Sequence, residues 1–249
     1  MANADHSLTR EILSSLCENL RENNSIDAEY YDRYNVKRGL RNADGTGVMA
    51  GLTKVCSVEG YYIDDGERIP KDGKLIYRGV DVDEIVAGCK SENRFGFEEV
   101  VWLLLFGSLP TAKRLADFSA LLSQCRELPH DFIEDVIMNA PSANLMNKLA
   151  RCVLALYSFD ENPDDVSTEN VLRQSIYLIA RLPSVMSYAY QVKRRHFYHK
   201  SMYIHPIEPE QQTAEVILNS LRSDKQFTDR EAKLLDLCLL LHADHGGGN

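Results

Sequence analysis

The stretch FEEVVWLLLFGSLPT, residues 97–111, indicates the fold class more directly than any other part of the chain. From Phe97 to Phe106 apolar residues occupy almost every face that a helix would have, which is typical of a helix buried on all sides. Gly107 and Pro110 follow, and both residue types end helices. Thr111 can cap a further helix. The stretch therefore predicts a buried helix that ends at Gly107 and a second helix that begins after Thr111.

Helical spacing of apolar residues continues through most of the chain. Near the N-terminus, Leu8, Ile12, Leu16 and Leu20 fall on one stripe, as in an amphipathic helix. The following residues, up to about 47, are polar and contain glycine, which is typical of a connecting arm. Further helices are predicted in residues 112–125, 143–159, 170–192, 210–221 and 227–245.

Two of these helices carry more specific signals. Pro183 lies inside residues 170–192 and predicts a break, because proline lacks an amide proton and clashes with the preceding turn. In the last helix Thr228 is followed three residues later by Glu231, the pattern of a capping box. Its body is nearly all leucine, which predicts a helix that runs through the core.

Residues 52–88 form the only β-like region. Residues 55–58 and 74–78 are rich in β-branched or aromatic side chains, and the Asp-Gly pairs at 65–66 and 72–73 favour turns between them. We expect a small hairpin here. The sequence VDVDEIVAG after it, residues 80–88, is typical of a short helix with an acidic first turn.

Composition excludes several classes of function. The chain has 249 residues, ordinary globular composition and a net charge of −9, which argues against nucleic acid as the main partner. The basic cluster KRRHFYHK, residues 193–200, is better explained as a solvated or substrate-facing loop. Polyanionic small molecules remain possible ligands for it.

Cellular location is inferred from three further observations. No apolar run approaches the ~18 residues of a membrane span, and MANADHSLTR has neither the basic nor the apolar region of a secretory signal. The six cysteines form no CxxC pair, and Cys125, Cys152 and Cys238 fall on apolar helical faces. We expect buried, reduced thiols in a cytoplasmic protein that has no membrane partner.

The sequence LLLHADHGGGN, residues 239–249, holds the strongest candidate site. His242 and His245 are three positions apart at the end of the last predicted helix, so both can face one side of it. Imidazole suits the binding of a carbonyl or carboxylate, and the glycines at 246–248 allow a ligand to approach the backbone closely. The alternative is a helix C-terminus stabilised by histidines and closed by glycine.

Metal binding is a further alternative for the same residues. HADHGGG resembles the latter part of the metallo-β-lactamase signature, H-x-H-x-D-H-x-G-G. That signature requires a histidine at position 240, where this chain has leucine, and it normally follows a strand rather than a helix. Since these residues cannot complete a zinc site, no metal is expected.

Four motifs in order resemble the citrate synthase family. LHADHGGGN resembles the family's H-x-D-H-x-G-G-N, and GKLIYRGVDVDEIV (73–86) resembles its L-x-Y-R-G segment. Residues 97–111 resemble its helix ending in L-x-G-x-L-P-T. IARLPSVMSYAYQV (179–192) resembles its proline-interrupted helix. The resemblance covers roughly residues 48–249.

This resemblance implies an all-α, multi-helical large domain with a small N-terminal β-hairpin. Residues 1–47 would form an N-terminal helix and arm, and 48–249 part of the large domain. The family condenses acetyl-CoA with oxaloacetate to citrate and CoA, without a metal or other cofactor, usually as a homodimer. By position, His245 resembles the oxaloacetate-binding histidine and Asn249 a substrate-pocket asparagine, while His242 supports the same pocket.

The resemblance also implies what these residues cannot supply. Gly246 stands where the family most often has glutamate, a departure that affects the placement of the neighbouring residues little. The family's catalytic histidine, in a G-P-x-H-G motif, and its catalytic aspartate come after the position of Asn249. We therefore expect a catalytically incomplete N-terminal fragment. There are two alternatives. One is a fragment of a 2-methylcitrate synthase, which uses propionyl-CoA, and the other is a non-catalytic helical dimerisation module.

Overall fold

The computed structural model describes residues 8–34, 36 and 51–245. It is helical with a small antiparallel sheet, as predicted. The helices are α1 (Arg10–Asn23), α2 (Glu29–Arg33), α3 (Val82–Ser91), α4 (Phe97–Phe106), α5 (Ala112–Gln124), α6 (Leu145–Leu156), α7 (Thr168–Phe197), α8 (Thr213–Leu221) and α9 (Asp229–Leu241). A π-helical turn (Ile133–Met138) precedes α6, and a 3₁₀ turn (Tyr157–Phe159) follows it. The strands are β1 (Cys56–Asp64), β2 (Glu67–Tyr77) and β3 (Val80–Asp81).

The chain divides into two compact units. One contains residues up to 17 together with 111–236, and the other contains 18–110 with 237–249. No helix in the described part of the chain is both long and apolar enough to cross a bilayer. The predicted domain boundary at residue 47 falls among residues outside the described ranges and stays a prediction.

Helix α4 confirms the prediction from residues 97–111. Val100, Leu103 and Phe106 are fully buried, and even Glu98 and Glu99 of its first turn are buried. Gly107 ends the helix with φ +76°, a left-handed conformation that glycine adopts without strain. Thr111 caps α5 by accepting a hydrogen bond from the amide of Arg114, also as predicted.

Side chains close the C-terminus of α4. The Arg78 guanidinium donates to the carbonyl oxygen of Leu104 through two nitrogens, at 2.7 and 3.1 Å, and also to the side-chain oxygen of Asn24. Asn24 donates to Leu105 at 3.0 Å, and Asn23 donates to Phe106 at 2.9 Å. Helix-end carbonyls without an intrahelical donor thus receive side-chain donors instead.

The β-hairpin is confirmed, but with one turn instead of two. Asp65 and Gly66, at φ +45° and +85°, connect β1 to β2, as two-residue Asp-Gly turns do. The predicted turn at Asp72-Gly73 is wrong, because these residues lie inside β2 opposite a register shift between Glu59 and Tyr61. The extra residues of β2 form a bulge there. β3 adds a third strand, paired with the end of β2.

The predicted break at Pro183 is also wrong. α7 is one continuous helix of 30 residues that contains Pro183. Proline removes a single intrahelical bond, and the burial of Ala180, Ser184, Val185 and Tyr188 around it holds the helix together. The Pro183 carbonyl still accepts a hydrogen bond from the Ser187 hydroxyl, at 2.8 Å.

The core of this same unit gathers side chains from several helices. Phe132 and Ile137 lie beside Cys152 of α6 and beside Val185, Tyr188, Ala189 and Val192 of α7. The apolar helical face predicted at Cys152 is therefore buried, and side chains of α7 belong to the same cluster.

The buried faces of the first and last helices differ from the predictions. In α1 the buried residues are Leu13, Leu16 and Cys17, while Ile12 is exposed. The capping box that begins α9 is confirmed. However, α9 is buried on one face only, at Ala232, Asp236 and Leu240, so it does not run through the core of the described chain. Leu234 is 62% exposed, and Cys238, one of six free thiols, is exposed rather than buried.

Candidate functional site

The candidate site begins where α9 ends. The helix stops at Leu241, after which the amide of His242 donates to Cys238 at 3.2 Å and that of Ala243 donates to Leu240 at 3.4 Å. The first of these hydrogen bonds spans four residues and the second spans three, so the last turn is tighter than an α-helical turn. His245 therefore lies beyond the helix, and the expectation that both histidines share one helical face is wrong. Both side chains are nevertheless exposed.

His242 is oriented by the helix that precedes it. Its ring Nδ1 lies 2.8 Å from the carbonyl oxygen of Cys238, one turn earlier. A carbonyl only accepts hydrogen bonds, so this contact assigns a proton to Nδ1. Nε2 then presents a lone pair in the neutral ring and a second N–H in the imidazolium.

Asp244 fixes the backbone of His245. The amide of His245 donates a hydrogen bond to Asp244 Oδ1 at 2.7 Å, so the Asp244 carboxylate holds the backbone nitrogen of the next residue. Short side-chain-to-backbone bonds of this kind stabilise non-helical turns. The three glycines at 246–248 and Asn249, which complete the predicted site, lie outside the described residues.

The hydroxyl of Tyr77 joins the helix end to this loop. It lies 3.0 Å from the carbonyl oxygen of Leu240, 3.3 Å from that of Leu241 and 3.1 Å from that of Asp244. The amide of Asp244 in turn points at the hydroxyl oxygen, at 3.4 Å. Burial raises the pKa of the Tyr77 phenol, so the hydroxyl keeps its proton and acts as a donor at neutral pH.

Tyr77 reaches this place because it is the last residue of β2. It is fully buried in a core cluster with Cys56, Val82, Ile85, Val100, Leu103 and Leu240. Sequence reasoning identified LIYRG and HADH as separate motifs and missed their contact. The sequence did offer one indication, a tyrosine at the end of a predicted strand. A buried tyrosine hydroxyl needs a hydrogen-bond partner, which here comes from a distant segment.

The other described histidines belong to the compact unit that contains residues 111–236. His205 Nε2 lies 2.9 Å from the carbonyl oxygen of Arg222, and the backbone carbonyl of His205 accepts a hydrogen bond from the Tyr188 hydroxyl. His196 lies in α7, which contains residues 193–197 of the basic cluster, so that cluster is not a loop throughout. His6 falls outside the described residues.

Across the described ranges, no three His, Cys, Asp or Glu side chains are grouped so that they could hold a metal ion. An exposed imidazole can donate hydrogen bonds, and here it stands on a loop held in place by a buried hydroxyl. Such an arrangement could bind a small, oxygen-rich anion.

Similarity to known proteins agrees with the motifs. The family model described as "Citrate synthase, C-terminal domain" matches residues 42–249. Citrate synthase of Saccharolobus solfataricus is 29% identical over 210 residues, which are 84% of this chain and 48% of that protein. 2-Methylcitrate synthase 1 of Corynebacterium glutamicum is 28% identical over 160 residues, 64% of this chain and 36% of that protein.

A solved structure supports the fold. The crystal structure of citrate synthase from Pyrobaculum aerophilum superposes with a TM-score of 0.64 at 24% identity, over 83% of this chain and 49% of that one. The chain spans about half the length of the Saccharolobus citrate synthase and of this solved structure. Because the family model covers most of its residues, the chain belongs to the citrate synthase family.

Proposed function

We propose that this chain supplies the oxaloacetate-binding edge of an enzyme that condenses acetyl-CoA with oxaloacetate to citrate and CoA. The observation that carries the proposal is the loop 242–245, in which two exposed histidines follow a helix end anchored by Tyr77. Oxaloacetate carries two carboxylates and a ketone, all of them hydrogen-bond acceptors. Imidazole donors at fixed positions are suited to such a ligand.

The chemistry needs such a donor. A base removes a proton from the thioester methyl of acetyl-CoA, and the resulting enolate carbon attacks the oxaloacetate ketone. The ketone oxygen gains negative charge as the new carbon–carbon bond forms, and a positioned N–H stabilises that charge. Water then cleaves the thioester to citrate and free CoA. We assign the ketone or carboxylate contact to His245, with His242 supporting it and Asn249 in the same pocket.

Direct binding tests this assignment. We expect calorimetric titration with oxaloacetate to show saturable binding to the wild-type chain, and His245→Ala to weaken it about tenfold or more, as expected when a charge-assisted bond is lost. His130→Ala is the matched control, since His130 is an exposed histidine outside the proposed pocket. Absence of saturable binding to the wild-type chain would contradict the proposal, and so would equal weakening by both variants.

Catalysis by the isolated chain is a separate question. We propose that these 249 residues do not complete the reaction alone, because the resemblance provides no position among them for the catalytic aspartate or the G-P-x-H-G histidine. The measurement is thiol release from acetyl-CoA in the presence of oxaloacetate. Clear turnover by the pure chain would overturn this part of the proposal.

The second candidate reaction uses propionyl-CoA and yields 2-methylcitrate. It is favoured by one observation, the presence of 2-methylcitrate synthases among the similar proteins at 28–29% identity. The ratio of kcat/KM for acetyl-CoA and propionyl-CoA, measured on the active enzyme that contains this chain, distinguishes the two reactions. A ratio above one supports citrate synthesis, and a ratio below one supports 2-methylcitrate synthesis.

We further propose a cytoplasmic homodimer. Several large apolar side chains on the helices are exposed in the isolated chain, including Met146 and Leu154 of α6 and Leu234 of α9. Exposed apolar surface of this kind is often covered by a partner subunit. Light scattering is expected to give the mass of two chains, and a monodisperse monomer would count against it. A dimer without oxaloacetate binding would instead favour the non-catalytic dimerisation module.

A further inference from the structure

The contacts of Tyr77 concentrate on one side-chain atom. Its hydroxyl carries a single proton, yet three carbonyl oxygens, of Leu240, Leu241 and Asp244, lie within 3.3 Å of it. Two of these carbonyls belong to the last turn of α9, and the third belongs to the loop beyond it. The hydroxyl is therefore shared between the helix end and the residue that precedes His245.

The same hydroxyl also acts as an acceptor. The amide of Asp244 points at it, at 3.4 Å, so both backbone polar groups of Asp244 contact one atom. Asp244 in turn accepts the amide of His245 through its carboxylate. A continuous chain of hydrogen bonds thus runs from Tyr77 through Asp244 to the backbone of His245.

The ring of Tyr77 gives this chain a rigid origin. The ring is fully buried among Val82, Ile85, Val100 and Leu103. The residue itself is the last of strand β2, which is paired with β1 on one side and β3 on the other. Packed cores permit little movement of such a side chain. By contrast, His242 and His245 are exposed, and no core packing determines their position.

We propose that Tyr77 is a positioning residue for oxaloacetate binding, whose hydroxyl fixes the Asp244 backbone and thereby the place from which His245 reaches the substrate. This inference rests on the proposed function. It predicts a role for the oxygen atom that is separable from the role of the ring. The ring fills the core, and the oxygen sets the loop geometry.

The test compares two substitutions of the same kind. Tyr77→Phe removes the hydroxyl and keeps the ring. Tyr188→Phe is the matched control, because Tyr188 is equally buried and its hydroxyl also donates to a backbone carbonyl, that of His205, at 2.8 Å. Each variant is titrated with oxaloacetate, its melting temperature is recorded, and amide hydrogen exchange is followed by mass spectrometry or NMR.

The expected results separate positioning from general stability. Tyr77→Phe should weaken oxaloacetate binding by about tenfold to a hundredfold, as a small misplacement of a binding group does. It should speed exchange of the Asp244 and His245 amides by about tenfold or more while the amides of α4 keep their protection. Tyr188→Phe should lower the melting temperature to a similar extent and leave oxaloacetate affinity unchanged.

Each contrary outcome has a distinct meaning. Wild-type binding together with equal binding by Tyr77→Phe overturns the inference and leaves the proposed function standing. Absence of binding to the wild-type chain overturns the proposed function and this inference with it. Should Tyr77→Phe fail to fold, the wild-type exchange rates decide, since an Asp244 amide that exchanges as fast as in an unstructured peptide overturns the inference.

Discussion

Two adjacent residues of the LIYRG motif, Tyr77 and Arg78, donate hydrogen bonds to the ends of two different helices, and the two ends are held in different ways. Arg78, with Asn23 and Asn24, supplies side-chain donors to Leu104, Leu105 and Phe106 at the end of α4. Tyr77, one residue earlier, supplies a single hydroxyl to the end of α9. One end is closed by several polar side chains, and the other is held at one atom.

The difference separates structure from proposed function. The carbonyl oxygens at the α4 end accept hydrogen bonds from Asn23, Asn24 and Arg78. The α9 end continues into a loop with exposed His242 and His245. We infer that substitutions at the α4 end change stability alone, whereas those at the α9 end change binding. Three predictions follow this contrast in order of decreasing effect.

The largest effect is expected at Gly107, which closes α4. In Gly107→Ala the residue would keep φ +76°, and its Cβ would lie 2.6 Å from the Cβ of Asn23. The left-handed strain and the clash together should lower the free energy of unfolding by about 2–4 kcal/mol. Urea denaturation measures the loss.

Gly66→Ala is the control for this prediction. Gly66 also has a positive φ, +85°, but nothing lies within 4 Å of the position of its Cβ. The Gly66→Ala variant should suffer only the left-handed backbone strain, which lowers its free energy of unfolding by about 1–2 kcal/mol. Equal losses in the two variants would show that the contact with Asn23 carries no weight.

A somewhat smaller effect is expected at Arg78. Arg78→Ala removes charge-assisted hydrogen bonds to Leu104 and Asn24 and should cost about 1.5–3 kcal/mol. Lys71→Ala, which removes an exposed ion pair with Glu59, should cost clearly less, because solvent screens a pair of this kind. Because Arg78 serves α4, the oxaloacetate affinity of Arg78→Ala should stay within about twofold of the wild type. A large loss of affinity would break the contrast between the two helix ends.

The smallest effect is expected at the start of α9, under acid conditions. Hydrogen bonds from Arg222, and then from Thr228, lower the pKa of Glu231 to about 2. A lowered pKa stabilises the fold above the ordinary pKa of 4.5, and this contribution is lost as the pH falls from there towards 2. Amide exchange in the first turn of α9 should therefore accelerate across that window.

Glu231→Gln should remove this pH dependence. Glu169→Gln, which changes an acidic residue in the first turn of α7, serves as the control and should leave it intact. If the α9 amides of Glu231→Gln kept the wild-type pH response, the capping box would not be its source.

Local features of the fold were predictable from the sequence. The end of α4 at Gly107, the cap at Thr111 and the capping box at Thr228 and Glu231 depend on residues within a few positions of one another. The wrong predictions concern places where contacts with residues distant in sequence determine the local conformation. Pro183 stays helical because its neighbours are buried, and Asp72-Gly73 enters a strand because β1 pairs with it.

The candidate site was predictable in part for the same reason. Its histidines stand together in the sequence and were identified from it, and their role in binding stays a prediction. Tyr77 lies 163 residues before Leu240, and no local pattern links the two. The side of α9 that is buried was likewise not predictable, because leucines on both faces give no periodic signal.

The central claim is that the loop after α9 binds oxaloacetate through its histidines. The most direct measurement is NMR of the wild-type chain with ¹⁵N-labelled histidine side chains, titrated with oxaloacetate. The His245 imidazole, and to a smaller extent that of His242, should shift saturably, while the exposed His130 imidazole keeps its frequency. If His242 and His245 did not shift, or if all histidines shifted alike, the claim would be contradicted.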